Sequence, residues 1–399
     1  MSSPLPYPTV EIRPERVRSV KQGHPWVFSG ALTGSTQAKD GEPVVLTCGS
    51  EVLGTGLYHG QTDIAVRLLS RQAEVLDEDF FLRRFQALKA RKEPWLPPGT
   101  NAYRLAFGEG DELPGLVIDK YGDVLVMQAH TAGMARLKEP IVASLQTLFA
   151  PRSLVERSEL RSRKQEPGGK PGLSGVLAGE LPGDVVFEEY GLKFIADVME
   201  GQKTGFFLDQ RENRQALRRW IKGRHLLNTF CYTGGFSVAC AGDAASVTQV
   251  DISSRAMDLA KRHFNLNGLV CPDENFIVGD VFEFLKKMPD RAYDAILVDP
   301  PSFAKNRAQI KSAIKAYISL NTLALRKLPE GGILATSSCT AHIDALTFLK
   351  IVHQSAVEAN TSVRVLDSRE QPFDHPYHLS FPEGRYLKFL VLQKNGRAS

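Results

Sequence analysis

Short apolar runs separated by turn residues fill the first 70 positions of the chain. The clearest runs are Pro43–Leu46, Val52–Tyr58 and Ile64–Leu69. Many short strands at even spacing are typical of small β-barrels. The pattern therefore predicts a small β-barrel domain in residues 1–73.

A mixed pattern follows in residues 74–187, which we expect to form a central α+β domain. Apolar positions at helical spacing predict a helix over Asp79–Arg91, and a proline ends it. Two strands and an amphipathic helix are predicted at Leu116–Ile118, Val124–Met127 and Leu137–Phe149. The stretch Glu166–Gly183 is rich in Gly and Pro, which indicates an exposed loop.

From residue 188 to the end, strand candidates alternate with helix candidates. The strand candidates are His225–Asn228, Val247–Val250, Phe276–Val278, Ala295–Val298, Ile333–Thr336 and Leu387–Leu392. Alternation of this kind is typical of a doubly wound α/β domain. We therefore predict an α/β protein whose C-terminal domain, residues 188–399, is Rossmann-like.

Composition narrows the class of protein. Of the 399 residues, 43% are hydrophobic and 24% are charged, which is ordinary for a soluble globular protein. The net charge of +4 is compatible with a nucleic acid partner only through a local basic patch. No apolar run approaches the ~20 residues of a membrane helix and no signal peptide is evident, so we expect a cytoplasmic protein without a membrane partner. The five scattered cysteines form no Cys-x-x-Cys pair, which predicts reduced thiols and no structural metal.

The ends of the first three strands of the last domain carry residues suited to a nucleoside cofactor. The stretch Thr229–Phe236 contains two consecutive glycines but no Gly-x-Gly-x-x-Gly, so a pyrophosphate has no obvious cradle. Asp251 is placed to accept hydrogen bonds from a ribose. Asp280 is placed to accept from an adenine amino group, with Val281 against the ring. Together these features favour S-adenosylmethionine over NAD; the alternative is that Asp251 and Asp280 only cap loops.

Two further strand ends carry the candidate chemistry. Asp299 begins an Asp-Pro-Pro-Ser-Phe corner after one apolar strand, and Cys339 follows the next strong strand candidate. Chemistry in open α/β sheets collects at the carboxyl ends of strands. A carboxylate there can hold a nitrogen heterocycle, and Phe303 could stack on a flipped-out base. Asp-Pro-Pro-aromatic corners also occur in enzymes that methylate exocyclic amino groups, which is the main alternative.

The cysteine favours methylation of a pyrimidine carbon. Cytosine C5 is a weak nucleophile until a thiolate adds at C6, after which C5 can attack a sulfonium methyl group. An enzyme that methylates an amino group has no need of this thiol. The alternative for Cys339 is a small buried hydrophobic residue. Among the other cysteines, Cys231 lies in the cofactor loop, and the remaining three look structural.

At these residues the chain resembles the ribosomal RNA large subunit methyltransferase I family, over nearly its whole length. The motifs that carry the resemblance are His24–Gly30, Lys203–Arg211, Tyr232–Phe236, Asp299–Phe303, Ser338–Cys339, Asp374–Pro376 and Phe381–Gly384. The resemblance implies a PUA-like RNA-binding barrel, a central domain and a class I methyltransferase domain. It also implies S-adenosylmethionine as cofactor and formation of 5-methylcytosine in 23S (large-subunit) ribosomal RNA through a covalent Cys–C6 adduct.

The resemblance further implies a set of site residues. Cys339 is implied as the nucleophile and Asp299 as the residue that holds cytosine. The implied cofactor-binding residues are Thr204, Phe207, Asp209, Arg211, Phe230, Tyr232, Thr233, Gly234, Gly235, Asp251, Ile252, Ser253, Asp280, Val281 and Asp299. The implied substrate-binding residues are Pro300, Pro301, Phe303 and Lys305. The segment Thr204–Arg211 is expected to help close over the cofactor, and no metal is implied.

Two steps of the reaction stay open at the level of sequence. Pro301 stands where two-cysteine RNA cytosine methyltransferases have a second thiol, so product release has no assigned residue. His375 is a candidate acceptor for the C5 proton. The alternative for His375 is a structural hydrogen-bonding residue in a loop.

The partner expected from the resemblance is large-subunit ribosomal RNA, with a homodimer as a further possibility. The barrel is expected to supply RNA affinity; its alternative is packing or oligomerisation. The basic residues considered for phosphate contact are Arg83, Arg84, Lys89, Arg91, Lys92, Arg152, Arg157, Arg161, Arg163 and Lys164. Two other functions stay open: methylation of an exocyclic amine of guanine or adenine, and a non-catalytic RNA-binding scaffold.

Overall fold

The computed structural model of the chain describes residues 5–34, 36–158, 175–304 and 306–396. The first half of the predicted Gly- and Pro-rich loop, together with Arg161, Arg163, Lys164 and Lys305, lies outside these ranges. In its second half, Gly175–Gly179 form a strand that pairs with Ser153–Glu156, so the loop prediction was wrong there. The chain folds into two compact units. The first comprises residues 1–190, 196–208 and 373–384, and the second comprises 191–195, 209–372 and 385–399. The three domain boundaries expected from the sequence stay a prediction.

The first unit begins with a five-stranded sheet in the order β1-β3-β4-β5-β2. Its elements are β1 Thr9–Glu11, α1 Val17–Lys21, β2 Trp26–Phe28, β3 Pro43–Cys48, β4 Glu51–Tyr58 and β5 Ile64–Ser70. Strand β1 is parallel to β3, and the other neighbours are antiparallel. The three strands predicted here are confirmed. The sequence pattern missed β1 and β2, because three residues are too few to show an alternation.

A second five-stranded sheet, in the order β10-β9-β8-β7-β6, forms the rest of this unit's core. The elements are α2 Glu78–Lys92, β6 Ala102–Phe107, β7 Leu116–Tyr121, β8 Val124–Ala129, α3 Ala132–Arg136, α4 Lys138–Phe149, β9 Ser153–Glu156, β10 Gly175–Gly179 and β11 Val185–Glu189. Asp77 caps α2 by accepting a hydrogen bond from Phe80 N at 2.9 Å. Phe81, Phe85 and Leu88 are buried with Phe80, which confirms the helical pattern.

Charged pairs are buried inside the first unit. The guanidinium of Arg104 donates two hydrogen bonds to the Asp119 carboxylate, at 2.8 and 2.7 Å. The ammonium of Lys92 donates to Asp111 and to the carbonyl of Asp374. Burial lowers the pKa of Lys92, and the Asp111 carboxylate opposes this effect. These pairs satisfy charges that would be costly to bury alone.

Burial contradicts part of the predicted phosphate-contact set. Lys92 is 1% exposed and bonded to Asp111. Arg157 is 8% exposed and donates to the carbonyls of Val198 and Gly201. A phosphate in solution cannot reach either side chain, so both predictions were wrong.

The second unit contains a seven-stranded sheet in the order β15-β14-β13-β16-β17-β19-β18. Its elements, with the strand β12 that precedes it, are β12 Leu192–Ala196, α5 Arg211–Arg218, β13 His225–Thr229, α6 Gly235–Ala241, β14 Ser246–Asp251, α7 Ser254–Leu266, β15 Phe276–Val278, α8 Val281–Lys287, β16 Ala295–Val298, α9 Ile310–Lys327, β17 Ile333–Ser338, α10 Ala345–Glu358, β18 Val363–Arg369 and β19 Lys388–Lys394. Strand β19 is antiparallel to β17 and β18, and the others are parallel. The predicted doubly wound α/β domain is confirmed.

Both faces of this sheet are covered by helices, which explains the continuous apolar runs of its central strands. In β16, Ile296 and Val298 pack in one hydrophobic cluster with α9 and α10, while Ala295 and Leu297 pack in another with α6. A parallel strand buried on both faces needs apolar residues at every position. In the described residues no helix is long and apolar enough to cross a membrane.

Replacing Arg104 by Met is expected to destabilise the protein by about 3–5 kcal/mol, because Asp119 would stay buried without its cation. The urea midpoint and Tm of the full chain measure this loss. Removing both charges in Arg104→Met/Asp119→Leu should restore part of the stability. The exposed pair Lys21–Glu51 provides the control, since Lys21→Met should cost less than about 1 kcal/mol. Equal losses for Arg104→Met and Lys21→Met would contradict the prediction.

Candidate active site

The site lies where the order of strands in the second unit's sheet reverses. The chain runs from β13 through β14 to β15 on one side, and then returns to β16 and β17 on the other side of β13. Ligands of open α/β sheets bind at the carboxyl ends of strands beside such a reversal. The loop after β13, Asp251, Asp299 and Cys339 all follow parallel strands, so they share this edge.

The loop after β13 has an unusual backbone. Phe230, Tyr232 and Gly234 have φ angles of 55°, 49° and 73°. Left-handed conformations are uncommon for residues with a side chain, and clusters of them occur at ligand sites. At Gly234, a Cβ atom would lie 2.6 Å from Gln249 Oε1 and 3.0 Å from Ala260 Cβ. The two predicted glycines therefore begin α6 in a space that admits no side chain at Gly234.

A buried histidine, His263, forms a hydrogen bond to this loop. His263 Nε2 accepts a hydrogen bond from Ile195 N at 2.9 Å, and Nδ1 lies 2.8 Å from the carbonyl oxygen of Thr233. Burial lowers the pKa of His263 to about 4. The ring is therefore neutral near pH 7, and its Nδ1–H donates to Thr233. The predicted cofactor residue Thr233 is thus held through its main chain.

Asp251 is fixed by two backbone donors. Its Oδ2 accepts from Tyr232 N at 2.8 Å, and its Oδ1 accepts from Ser253 N at 3.0 Å. Ser253 caps α7, because its hydroxyl accepts a hydrogen bond from Ala256 N. The loop-capping alternative for Asp251 is therefore real, but each carboxylate oxygen retains a further acceptor position. The predicted contact with a ribose stays a prediction.

The acid that follows the third strand, Asp280 after β15, also caps a helix. Asp280 is exposed and caps α8, because its Oδ1 accepts from Glu283 N at 2.9 Å. Val281 is buried in the core cluster below α9. Ile252, directly after β14, is 76% exposed. The predicted contacts of Asp280, Val281 and Ile252 with an adenosine stay predictions.

Asp299 is held by side chains from two other elements. Ser337 Oγ, at the end of β17, donates to its Oδ1. Gln210 Nε2 lies 3.1 Å from both carboxylate oxygens, and Asn213 Nδ2 orients the Gln210 amide by donating to its Oε1 at 2.7 Å. These donors favour the ionised carboxylate. The acid that was predicted to hold a base is thus preorganised as an acceptor.

Cys339 is partly exposed, and both of its neighbours are buried and bonded. Ser338 Oγ donates to Tyr317 OH at 3.1 Å. Thr340 Oγ1 lies 3.0 Å from the same phenol and 3.1 Å from Ser302 Oγ. The partly exposed cysteine therefore lies between two residues that are fixed by hydrogen bonds, which the alternative of a buried hydrophobic residue would not require.

Tyr317 contacts both the residues beside Cys339 and Phe303 of the Asp-Pro-Pro-Ser-Phe corner. Burial raises its pKa to about 12, and the negative charges of Cys339 and Asp299 act in the same direction. The phenol is therefore neutral and serves as a hydrogen-bonding hub. Its ring packs edge-on against the predicted base-stacking residue Phe303, with centroids 4.8 Å apart. Phe303 remains partly exposed, so stacking on a base stays a prediction.

Pro300 and Pro301 follow Asp299 directly and differ in exposure. Pro300 is buried, whereas Pro301 is exposed. Their contact with a substrate base stays a prediction, as does that of Lys305, which lies outside the described residues. In the described ranges, no group of three or more His, Cys, Asp or Glu side chains could hold a metal ion.

The predicted closing segment contributes to both units. In the first unit, Thr204 is buried, and its hydroxyl donates to Asp119 and lies 2.8 Å from Tyr121 OH. Phe207 is partly exposed, with the Lys203 ammonium 4.3 Å from its ring centroid. The Thr204 hydroxyl is thus used inside its own unit, and closure over a cofactor stays a prediction.

In the second unit, the acid and the arginine of this segment are buried. Asp209 Oδ2 accepts a hydrogen bond from Tyr386 OH at 2.6 Å. Arg211 is 0% exposed and donates from Nε to Glu212 at 3.1 Å. Both residues begin the turn into α5, and their contact with a cofactor stays a prediction.

His375 has the surroundings of a structural residue. It lies in the first unit, is 1% exposed, and its Nδ1 is 3.0 Å from Asp374 Oδ1. Its ring packs against Phe107 with a centroid separation of 5.2 Å. This environment favours the structural alternative over a role as proton acceptor.

Comparison with known protein sequences identifies the family of this chain. A family model described as S-adenosylmethionine-dependent methyltransferase matches residues 172–380, and one described as PUA-like domain matches residues 10–71. Proteins named Ribosomal RNA large subunit methyltransferase I, from Shewanella denitrificans and Escherichia coli, are 39% and 37% identical to this chain. The alignments cover 96% and 94% of this chain and 98% and 96% of those proteins. The chain belongs to the ribosomal RNA large subunit methyltransferase I family.

Solved structures agree with membership of this methyltransferase family. A SAM-dependent methyltransferase from Streptococcus mutans is 26% identical, with a TM-score of 0.82 over 96% of this chain and 99% of that chain. SMU.776, a methyltransferase crystallised as a complex with SAH, is 27% identical with a TM-score of 0.83 over the same shares. The cofactor is S-adenosylmethionine, and the N-terminal sheet is a PUA-like domain.

Several site residues of this methyltransferase were missed by sequence reasoning. Gln210 and Tyr317 carry no local signal, because their partners Asp299 and Ser338 are remote in sequence. Asn213 was missed with Gln210, which it orients. Lys388 did carry one, since it is a lysine inside the otherwise apolar strand Leu387–Leu392. Its side chain is buried, and Nζ donates to the carbonyls of Thr340 and Tyr386.

Replacing Gly234 by Ala should weaken S-adenosylmethionine binding roughly tenfold. A side chain in the left-handed conformation costs about 1–2 kcal/mol, and the new Cβ would push the loop away from Gln249. Isothermal titration calorimetry measures the change. Gly242→Ala is the matched control, because its φ is −73° and a Cβ there meets nothing within 4 Å. Unchanged affinity in Gly234→Ala would contradict the assignment of this loop.

Proposed function

We propose that this chain methylates C5 of a cytosine in large-subunit ribosomal RNA through a covalent adduct with Cys339. One observation carries the proposal: the partly exposed Cys339 lies two residues beyond Ser337, whose hydroxyl binds Asp299. A nucleophile and an acceptor for a base edge thus lie at the ends of two neighbouring strands, β16 and β17. The names of the curated relatives support large-subunit ribosomal RNA as the substrate, and such a substrate implies a cytoplasmic enzyme.

The proposed roles of the residues follow from chemistry. Asp299, ionised and oriented by Gln210 and Ser337, accepts from the N4 amino group of cytosine or binds its N3 edge. The Cys339 thiolate adds to C6, and the electron pair moves to C5. S-adenosylmethionine supplies the electrophilic methyl group. Loss of the C5 proton then expels the thiolate and restores the aromatic ring.

The conformation of the nucleophile supports this mechanism. Since Ser338 and Thr340 are tied to Tyr317, Cys339 cannot move away from Asp299 without breaking several hydrogen bonds. Holding both groups in one geometry converts an encounter into an intramolecular step. We assign no residue to the C5 proton, since His375 is buried beside Asp374.

Replacing Cys339 by Ala should reduce methylation at least ~10³-fold, because the covalent step loses its nucleophile. Nucleoside mass spectrometry of ribosomal RNA, with and without the protein, identifies the modified base and atom. Cys271→Ala is the control, since Cys271 is a partly exposed thiol in the same unit. Substantial activity in Cys339→Ala would instead support methylation of an exocyclic amine. If S-adenosylmethionine fails to bind, the non-catalytic scaffold is favoured.

The PUA-like domain offers a surface suited to RNA. An open cavity of about 320 Å³ is bordered by Arg16, Trp26 and Phe28. Phe28 is 50% exposed, and Arg16 is exposed beside it. Aromatic rings stack on unpaired bases, and arginine binds phosphates. We therefore assign RNA affinity to this domain, and a homodimer stays a prediction.

RNA affinity should fall steeply as the salt concentration rises. The side chains of Phe28 and Arg16 should contribute to it in different ways. Phe28→Ala is expected to cost about 1–3 kcal/mol for loss of one stacked base. Arg16→Gln should reduce the slope of log K against log salt by about 0.7. Fluorescence anisotropy with single-stranded ribosomal RNA fragments measures both. Lys21→Gln, whose ammonium is already paired with Glu51, should change the slope little. If the RNA affinity of the wild type did not change with salt concentration, the assignment of RNA binding to this surface would be wrong.

A further inference from the structure

The inference concerns Lys388, a charged residue buried at the first position of β19. Lys388 pairs with Ser338 across the antiparallel β17–β19 ladder. Its side chain is 4% exposed. Nζ donates to Thr340 O at 2.8 Å and to Tyr386 O at 2.7 Å. The ammonium therefore binds the carbonyl of the residue that follows Cys339, Thr340.

A buried ammonium needs negative charge nearby, and carbonyl groups supply only partial charge. Among the described residues, no carboxylate lies within ion-pair distance of Lys388 Nζ. Burial lowers the pKa of Lys388 to about 8, and the charge that opposes this most is that of Cys339. Asp344 acts in the same direction less strongly. Of the negative charges that act on Lys388, that of an ionised Cys339 is thus the largest.

Other charged groups around this pair act more weakly on Lys388, are paired with one another, or are bonded to neutral donors. Arg385 and Glu370 also influence Lys388, but the two form an ion pair with each other. Tyr317, on α9, is a neutral phenol, and Asp299 is bonded to Ser337 and Gln210. The interaction between two charges is reciprocal, so an ammonium that is stabilised by a thiolate stabilises that thiolate equally.

We propose that Lys388 is a positioning residue that holds Cys339 as a thiolate for attack on the pyrimidine. The inference rests on the proposed function. In the resting enzyme the thiol proton is released to water, and Lys388 stays protonated throughout. When the Sγ–C6 bond forms, the thiolate charge passes to the base. When that bond breaks, the ammonium stabilises the leaving thiolate. Lys388 thus acts in both addition and elimination without exchanging a proton.

The thiolate can be titrated without RNA or cofactor. The rate of Cys339 alkylation by iodoacetamide is measured from pH 5 to 9 in the full chain, by mass spectrometry of its peptide. Ordinary thiols ionise near pH 8.5, to within about a unit. Wild-type Cys339 is expected to titrate well below this value. Lys388→Met should slow its alkylation at pH 7 at least tenfold, and Lys388→Arg, which keeps the charge, should stay close to the wild type.

Internal controls separate this effect from general damage. Cys271, a partly exposed thiol elsewhere in the same unit, should be alkylated equally in all variants. A wild-type Cys339 that titrates near pH 8.5 or above would overturn the inference, even if Lys388→Met failed to fold. An unchanged Cys339 profile in a folded Lys388→Met would overturn it as well.

The inference and the proposed function fail in different ways. If Cys339→Ala still methylates RNA, the covalent function falls, whatever the alkylation profile. If Cys339→Ala is inactive but Lys388→Met leaves the Cys339 titration unchanged, the function stands and the role of Lys388 falls. Under the inference, Lys388→Met also shifts the pH dependence of kcat to higher pH, which a purely structural role would not do.

Discussion

The hydrogen bond from Ser337 to Asp299 joins the ends of two neighbouring parallel strands, and the geometry of the site depends on it. Val298 pairs with Thr336 in the β16–β17 ladder, so the next residue of each strand is Asp299 or Ser337. Cys339 comes two residues later in the same chain direction. A shift of β17 against β16 would therefore move the thiol and the carboxylate apart. Backbone pairing, rather than a flexible loop, sets the separation of the two reactive groups.

Much of the fold was predictable because it follows from local pattern. The central strands of the second unit, such as β16, are apolar throughout because both faces are covered, and their bounds agree with the prediction. Strand β18 was missed because its positions are mostly polar and half-exposed at the sheet edge. Short strands such as β2 carry too few residues for any periodicity. The apolar central strands of the second unit were thus predicted. Burial alone did not decide the outcome, since the edge strand β15 was predicted and the buried β9 was not.

The site was predictable only in part, because burial of a charge depends on a remote partner. Asp299 and Cys339 follow strands, so their shared edge could be inferred. Lys92 is the last residue of α2 and was predicted to contact phosphate. Instead it is buried, because its ammonium pairs with the Asp111 carboxylate. Lys388 meets Thr340 only because β19 runs antiparallel to β17, which no local pattern indicates. Sequence therefore placed the two candidate residues at one sheet edge but did not identify the side chains packed around them.

Under the proposed mechanism, three anions coexist at one sheet edge, and each has different surroundings. Asp251 is held by backbone N–H groups of Tyr232 and Ser253. Asp299 is held by neutral side chains, which orient it without cancelling its charge. Near Cys339 there is a cation, the Lys388 ammonium, which donates to the carbonyl of Thr340. Like charges in close proximity raise one another's pKa, so a carboxylate beside a thiol disfavours the thiolate. A full positive charge is therefore needed at the thiol and not at the carboxylates, because only the thiol has an ordinary pKa above neutral pH.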